Sequence, residues 1–125
     1  MDKFLTSDFA LVLLLALVLI IMHELGHYMA YRLFGIEARL RPNLLAPGID
    51  PKKPVTVSRW KGIFIAINGF IFASLTVNLP LYLLDYKHSS LILLAGAIGS
   101  VLDFVWALTM LGKQTVDLKP YSSNH

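Results

Sequence analysis

The feature that most constrains this chain is a long apolar stretch that runs directly into a His-Glu-x-x-His motif. Residues 9–22 contain no charged or strongly polar side chain, and the motif follows at once, from His23 to His27. The helical pattern continues to Phe34 and stops at Gly35, a typical residue just after a helix. A helix over 9–34 would be roughly 39 Å long, more than the ~30 Å hydrocarbon core of a bilayer. The sequence therefore predicts that the motif lies inside a membrane.

The spacing of the motif is that of a zinc site. Two histidines four residues apart lie on one face of a helix, where both imidazoles can bind the same Zn²⁺. Glu24 lies beside them as the general base for a metal-bound water. Charged and strongly polar groups cost about 2.5–3.5 kcal/mol each at the centre of a membrane helix on insertion scales. We therefore predict that His23 and His27 are metal ligands rather than a chance pair.

Composition favours one membrane-embedded domain over residues 1–125. The hydrophobic fraction is 56%, the charged fraction is 15% and the mean hydropathy is +0.64, too apolar for an ordinary soluble domain of this size. Three segments are predicted to be transmembrane helices: 9–34, about 61–84 and 91–111. Ser7 or Asp8 could cap the first helix and Gly112 could end the third. The expected fold is thus an all-α membrane protein with three spans.

The connection between the first two helices carries four prolines and is too broken for a helix. Residues 36–41 alternate between apolar and charged side chains, which predicts a short strand, and residues 55–57 could pair with it as a hairpin. An unstructured loop is the alternative. Pro80 is expected to kink the second helix near its end. The chain has no cysteine, which excludes disulfides and thiolate metal ligands.

The distribution of basic residues predicts an orientation. Three spans place the N-terminus and the loop at 85–90 on one side, with Lys3 and Lys87. The other side carries nine basic residues: Arg32, Arg39, Arg41, Lys52, Lys53, Arg59, Lys61, Lys113 and Lys119. By the positive-inside rule the N-terminus is outside and the C-terminus cytoplasmic, and we expect a prokaryotic plasma membrane. This explanation accounts for the basicity, and no nucleic-acid partner is expected.

A catalytic zinc site takes three protein ligands and keeps one position for water, so a third ligand is needed. The sequence offers four candidates outside the motif: Asn78, Asp85, His88 and Asp103. His23 lies roughly 21 Å and Asp103 roughly 18 Å from the outer ends of parallel helices, whereas Asp85 and His88 lie near the surface. Asp103 is therefore the predicted ligand. The alternatives are a protonated Asp103 or one that is hydrogen-bonded to Ser100 or to a neighbouring helix. Asn78 could bond to backbone opened by Pro80 or contact a substrate.

With these motifs the chain resembles the site-2 protease family of intramembrane zinc metalloproteases. The likeness rests on His23-Glu24-Leu25-Gly26-His27, on Ala66-Ile67-Asn68-Gly69, which is similar to the family's Ala-Gly-Pro helix start, and on Leu102-Asp103, which is similar to its Leu-Asp-Gly. It spans roughly residues 9–111. The chain departs from the family at Phe70 and Phe104, which replace the usual Pro and Gly, and no Asn-x-x-Pro precedes Asp103 in its helix. The chain also resembles a group of small zincin peptidases whose last helix carries a lone Asp.

The resemblance implies a three-helix catalytic core that hydrolyses peptide bonds of membrane-spanning or membrane-associated polypeptides. One Zn²⁺ per chain would be held by His23, His27 and Asp103, with Glu24 as the base, and an edge near residues 36–41 could hold the unwound substrate. Three helices enclose little space for water, so a homo-oligomer or a regulatory membrane partner is also expected. One rival hypothesis is a non-enzymatic zinc-binding scaffold or regulator, which would not need Glu24. The other is a plain helical membrane protein that binds no metal.

Overall fold

The computed structural model describes residues 2–40 and 48–119, with side chains described from residue 8 onward. Its elements are, in chain order, α1 (Asp2–Leu33), β1 (Ala38–Leu40), β2 (Ile49–Pro51), β3 (Val55–Ser58), α2 (Arg59–Ala73), a π-helical turn (Ser74–Asn78), α3 (Leu79–Leu83), α4 (Ser89–Gly99), α5 (Val101–Met110) and β4 (Thr115–Leu118). The chain is mostly helical and carries two small antiparallel sheets. The expectation of a helical protein is therefore confirmed, although the strands are a larger part of the fold than predicted.

Two helical segments are long and apolar enough to cross a membrane. They are Asp8–Leu33, with mean hydropathy 2.5, and Arg59–Leu83, with mean hydropathy 1.8. The third predicted helix, 91–111, is divided into α4 and α5, which meet at Ser100 with a bend of 46°. Together these two helices are apolar enough for a third span. Sharp bends are common at Gly/Ser pairs, and Gly99 precedes Ser100 here.

The end of α1 confirms the predicted stop at Gly35. Gly35 has a φ of 74°, in the left-handed region that favours glycine. Its N–H donates to the carbonyl of Arg32 at 3.0 Å, and the N–H of Ile36 donates to the carbonyl of Tyr31 at 2.9 Å. This pair of bonds is the Schellman motif, which satisfies carbonyls that the helix end leaves free.

The start of α1 differs from the prediction. The helix begins at Asp2, seven residues before Phe9, so neither Ser7 nor Asp8 is its N-cap. Asp8 Oδ2 instead forms an ion pair with Lys87 Nζ at 2.7 Å, which connects α1 to the loop before α4. A polar residue inside the first turns of a helix resembles a cap in the sequence, because both positions favour Asp and Ser.

The second span has an irregular turn in front of Pro80, where the sequence predicts a kink. A π-helical turn precedes it, in which the N–H of Leu79 donates to the carbonyl of Ser74, five residues back. Proline lacks an N–H and its ring crowds the preceding turn, so a wider turn accommodates it without ending the helix. The segment then continues as α3.

The two sheets pair differently from the predicted hairpin. β1 pairs with β2, with Arg39 opposite Asp50, and β3 pairs with β4, with Val57 opposite Val116. The strands predicted at 36–41 and 55–57 therefore exist, but the prediction that they pair with each other is wrong. A strand finds its partner through tertiary packing, and Val57 and Val116 are both buried in the cluster under α2 and α5. A hairpin does form in the first loop, between β1 and β2.

The contact that positions the functional site is a close crossing of α1 and α2. A Cβ added to Gly26 would lie 2.7 Å from the carbonyl oxygen of Asn68 and 3.0 Å from the Cα of Gly69. The Asn68 side chain donates from Nδ2 to the carbonyl of Gly26 at 2.6 Å across the same crossing. Small residues allow membrane helices to approach this closely, and the crossing brings α2 against the His-Glu-x-x-His face of α1.

Candidate metal centre

Three predicted ligand atoms meet at one point of the structure. Asp103 Oδ2 lies 2.7 Å from His23 Nε2 and 3.1 Å from His27 Nε2, and the two Nε2 atoms are 3.0 Å apart. The histidines come from α1 and the aspartate from α5. These three residues form the only His/Cys/Asp/Glu group within the described ranges that could hold a metal ion.

The geometry of this triangle fits a small divalent ion. In a tetrahedral zinc site with bonds of about 2.0–2.2 Å, neighbouring ligand atoms are about 3.3 Å apart. The three observed distances, 2.7, 3.0 and 3.1 Å, are shorter by about 0.2–0.6 Å, so the side chains would have to separate by that amount to hold the ion. Two imidazole nitrogens and one carboxylate oxygen are also a known catalytic zinc set, which leaves a fourth position for water.

Both imidazole rings have their second nitrogen facing a hydrogen-bond partner. His27 Nδ1 lies 2.8 Å from the carbonyl oxygen of Ile65 on α2, which can only accept. Nδ1 therefore carries a proton, and Nε2 is the ring atom that faces the site and would bind a metal. His23 Nδ1 lies 3.3 Å from Ser100 Oγ. The sequence suggested Ser100 as a partner of Asp103, whereas the structure places its hydroxyl against His23.

Gly69 forms the wall of the site on the α2 side. A Cβ at this position would lie 2.6 Å from His27 Nε2, 2.9 Å from His23 Nε2 and 2.8 Å from the His23 carbonyl oxygen. Any larger side chain would therefore displace the ligand atoms. The sequence marked Gly69 only through its family resemblance, because a lone glycine in a helix carries no signal of what approaches it.

The bend between α4 and α5 explains how Asp103 is accommodated at this depth. Since α5 begins at Val101, Asp103 lies in its first turn. The partial positive charge of a helix N-terminus stabilises a carboxylate there by about 0.3–1 kcal/mol. The two histidines of α1 contact its carboxylate, so its polar partners lie on a neighbouring helix, as one of the predicted alternatives has it, whereas Ser100 contacts His23.

The three ligand atoms face a cavity of about 490 Å³ that Glu24 also lines. Its lining also includes residues 48–50, at the start of β2, and Asp117, Leu118 and Lys119, at the end of β4 and just after it. The side chain of Asp103 is 24% exposed. The sequence suggested that three helices enclose too little space for water, and the strands supply the missing wall. Polar and apolar residues alternate in Thr115–Leu118, and this alternation is the sequence signal that indicates β4.

The other three candidate ligands lie elsewhere. Asp85 has a left-handed backbone, with φ 58°, in the turn after α3. His88 Nε2 lies 3.9 Å from Asp8 Oδ2 in the same region. Asn78 is 7% exposed, and neither polar atom of its side chain has a hydrogen-bond partner among the described residues, so it does not bond to backbone opened by Pro80. None of the three belongs to the group around Asp103.

No protein-family model, curated protein or solved structure matches this chain. The resemblance to site-2 proteases therefore depends on the three motifs, and the function has to be argued from the site itself.

Proposed function

We propose that this protein is an intramembrane zinc metalloprotease, similar to the site-2 proteases. The observation that carries the proposal is the meeting of His23, His27 and Asp103 beside Glu24 in otherwise apolar helices. Asp103 is 76 residues from His27 in the chain, yet their ligand atoms are 3.1 Å apart. Polar groups at membrane depth are costly, so a set that converges on one point is best explained by a shared function.

The residues divide into ligands and a base. His23, His27 and Asp103 would hold one Zn²⁺ per chain, and that ion would supply a Lewis acid for water and for the scissile carbonyl. Glu24 would accept a proton from the attacking water and return it to the leaving amine. Glu24 is half-buried and lines the same cavity as the ligands, which is the placement that this role requires.

The cavity also suggests how a substrate is held. Peptide carbonyls in a helix are hydrogen-bonded internally, so a membrane-spanning or membrane-associated polypeptide must be locally unwound before hydrolysis. β2 and β4 both line the cavity, and among the described strands each pairs with one neighbour. An extended substrate segment could add to one of these edges. We therefore place substrate binding at β2 and β4 rather than at residues 36–41.

We further propose that α4 and α5 together form a third span, with the N-terminus outside and the C-terminus cytoplasmic in a prokaryotic plasma membrane. The bent pair is apolar enough for this role, and nine basic residues against two support the orientation. The metal site then lies nearer the cytoplasmic end of α1. A homo-oligomer or a regulatory membrane partner remains a prediction from the small size of the core.

Glu24→Gln tests the proposal, with Glu37→Gln as its control. Glu37 is the other glutamate of the chain and is exposed. Purified protein in detergent or liposomes would be incubated with single-span substrates, with and without a zinc chelator. Loss of a general base typically lowers the rate about 10²–10⁴-fold. We expect that loss for Glu24→Gln with zinc still bound, and wild-type cleavage for Glu37→Gln.

Three outcomes would contradict this proposal. Cleavage by Glu24→Gln at the wild-type rate would remove Glu24 from the mechanism. If wild-type protein binds zinc but cleaves none of the substrates, the non-enzymatic zinc-binding scaffold becomes the better explanation. Absence of stoichiometric zinc would instead favour a plain helical membrane protein.

A further inference from the structure

Ser100 is a completely buried polar residue at the break in the third helical segment. Its exposed fraction is 0%, and its Oγ lies 3.3 Å from His23 Nδ1. It occupies the junction of α4 and α5, at the end of one helix and immediately before the other. A hydroxyl at this depth requires a partner, and the imidazole of His23 provides one.

The hydroxyl of Ser100 is not used as a helix cap. Serine directly before a helix usually accepts a hydrogen bond from the backbone N–H two or three residues on. Ser100 stands in that position before α5, with φ −97° and ψ 2°, but its side chain makes no capping bond. Capping usually occurs with an extended backbone, which Ser100 does not have, and its Oγ lies against His23 of α1 instead. Ser100 thus contacts His23, which is 77 positions away in the chain, instead of capping α5.

The two histidines have corresponding partners. His27 Nδ1 faces the carbonyl of Ile65, and His23 Nδ1 faces the hydroxyl of Ser100. A metal-binding imidazole usually donates its other N–H to such an acceptor, which fixes both the tautomer and the orientation of the ring. Ser100 also lies one turn before Asp103. It therefore contacts one ligand directly and begins the turn that carries another.

We infer that Ser100 is a positioning residue of the metal centre: its Oγ accepts a hydrogen bond from His23 Nδ1–H and so holds Nε2 towards the metal. The inference rests on the proposed zinc site. The bond requires the tautomer with its proton on Nδ1, the form in which Nε2 can bind a metal. Without this acceptor the His23 ring would be free to take the other tautomer and to rotate about its side-chain bonds.

The test measures the zinc dissociation constant of the full-length protein by competition with a chromophoric chelator. Removing such a partner typically weakens metal binding about 10–100-fold, and we expect this change for Ser100→Ala. Ser74→Ala is the matched control, because it also removes a buried hydroxyl from an interruption in a membrane helix, and Ser74 Oγ has no partner among the described residues. Ser100→Thr keeps the acceptor and should recover most of the affinity.

The visible absorption of bound Co²⁺ is a second measurement, which reports on the arrangement of the metal ligands rather than on the packing of the helices. The visible absorption bands of bound Co²⁺ depend on the arrangement of its ligands, so Ser100→Ala should alter them, whereas Ser74→Ala and Ser100→Thr should not. Unchanged zinc affinity and cobalt bands in Ser100→Ala would overturn the inference and leave the zinc site standing. Recovery of zinc affinity in Ser100→Thr beside a loss in Ser100→Ala would assign the effect to the hydroxyl. A wild-type protein that binds no zinc would overturn both proposals.

Discussion

Gly69→Ala should disrupt the metal centre although Gly69 ligates nothing. The new methyl carbon would lie 2.6 Å from His27 Nε2 and 2.9 Å from His23 Nε2, well inside the separation of about 3.5 Å at which such atoms are in contact. The backbone cannot move away easily, because α2 crosses α1 at Gly26 with a similarly small clearance. The strain must therefore be relieved by moving the imidazoles.

The size of the effect follows from the cost of overpacking. One extra methyl in a well-packed site typically costs about 1–3 kcal/mol. If most of this strain is relieved by displacing the two rings, zinc binding should weaken about 5- to 150-fold, because each 1.4 kcal/mol is a factor of about ten. The helical circular dichroism of the variant should stay close to that of the wild type.

Gly112→Ala is the control for this experiment. Gly112 lies in the turn after α5 and does not line the cavity, and a Cβ there would meet nothing within 4 Å. Its zinc affinity should therefore equal that of the wild type. Zinc affinities would be compared by chelator competition in one detergent. If Gly69→Ala binds zinc as tightly as Gly112→Ala, the proposed wall of the site is wrong.

Three further predictions test the ligand set, the helix crossing and the orientation. Asp103→Ala should lose bound zinc by elemental analysis while Asp85→Ala retains it, and full occupancy in Asp103→Ala would reject the three-ligand site. Gly26→Ala should lower the free energy of unfolding by about 1–3 kcal/mol, because its Cβ would lie 2.7 Å from a carbonyl oxygen. Denaturant titrations measure this change, and an unchanged midpoint would argue against the close crossing. A single cysteine replacing Ser7 should react with impermeant thiol reagents from outside, and one replacing Ser122 only from the cytoplasm. The opposite labelling would reverse the orientation.

Two kinds of site residue can be predicted from the sequence. One kind recurs at helical spacing, and the other is a polar side chain whose burial in an apolar segment costs free energy. His23 and His27 are one helical turn apart, and Asp103 is a carboxylate in an apolar segment at a similar depth, so the amino-acid sequence alone predicts that they meet. The carbonyl of Ile65 could not be found this way, because every residue has a carbonyl. The direction of the Ser100 hydroxyl depends on the bend at that residue, which an unbroken run of apolar residues conceals.

The fold likewise has features that the sequence predicts and others that it does not. The two long spans and the stop at Gly35 follow from apolar length and from the backbone freedom of glycine. The pairing of β3 with β4 joins residues about 60 apart, and no local pattern specifies it. Both strands alternate, but alternation alone does not identify a partner. The sequence therefore located the strand at 55–57 and assigned it to the wrong neighbour.

The bend at Ser100 links the helical fold to the chemistry of the site. Asp103 alone would be costly in an apolar helix, and so would each histidine. Because α4 ends at Gly99, α5 acquires its own N-terminus, and the carboxylate lies in the turn where the helix dipole favours it. The same junction turns a buried hydroxyl towards His23, while the crossing at Gly69 leaves room for both imidazoles. A straight helix would not place the positive end of a helix dipole at Asp103. We therefore regard the bend as part of the proposed metal centre rather than as an irregularity in a membrane span.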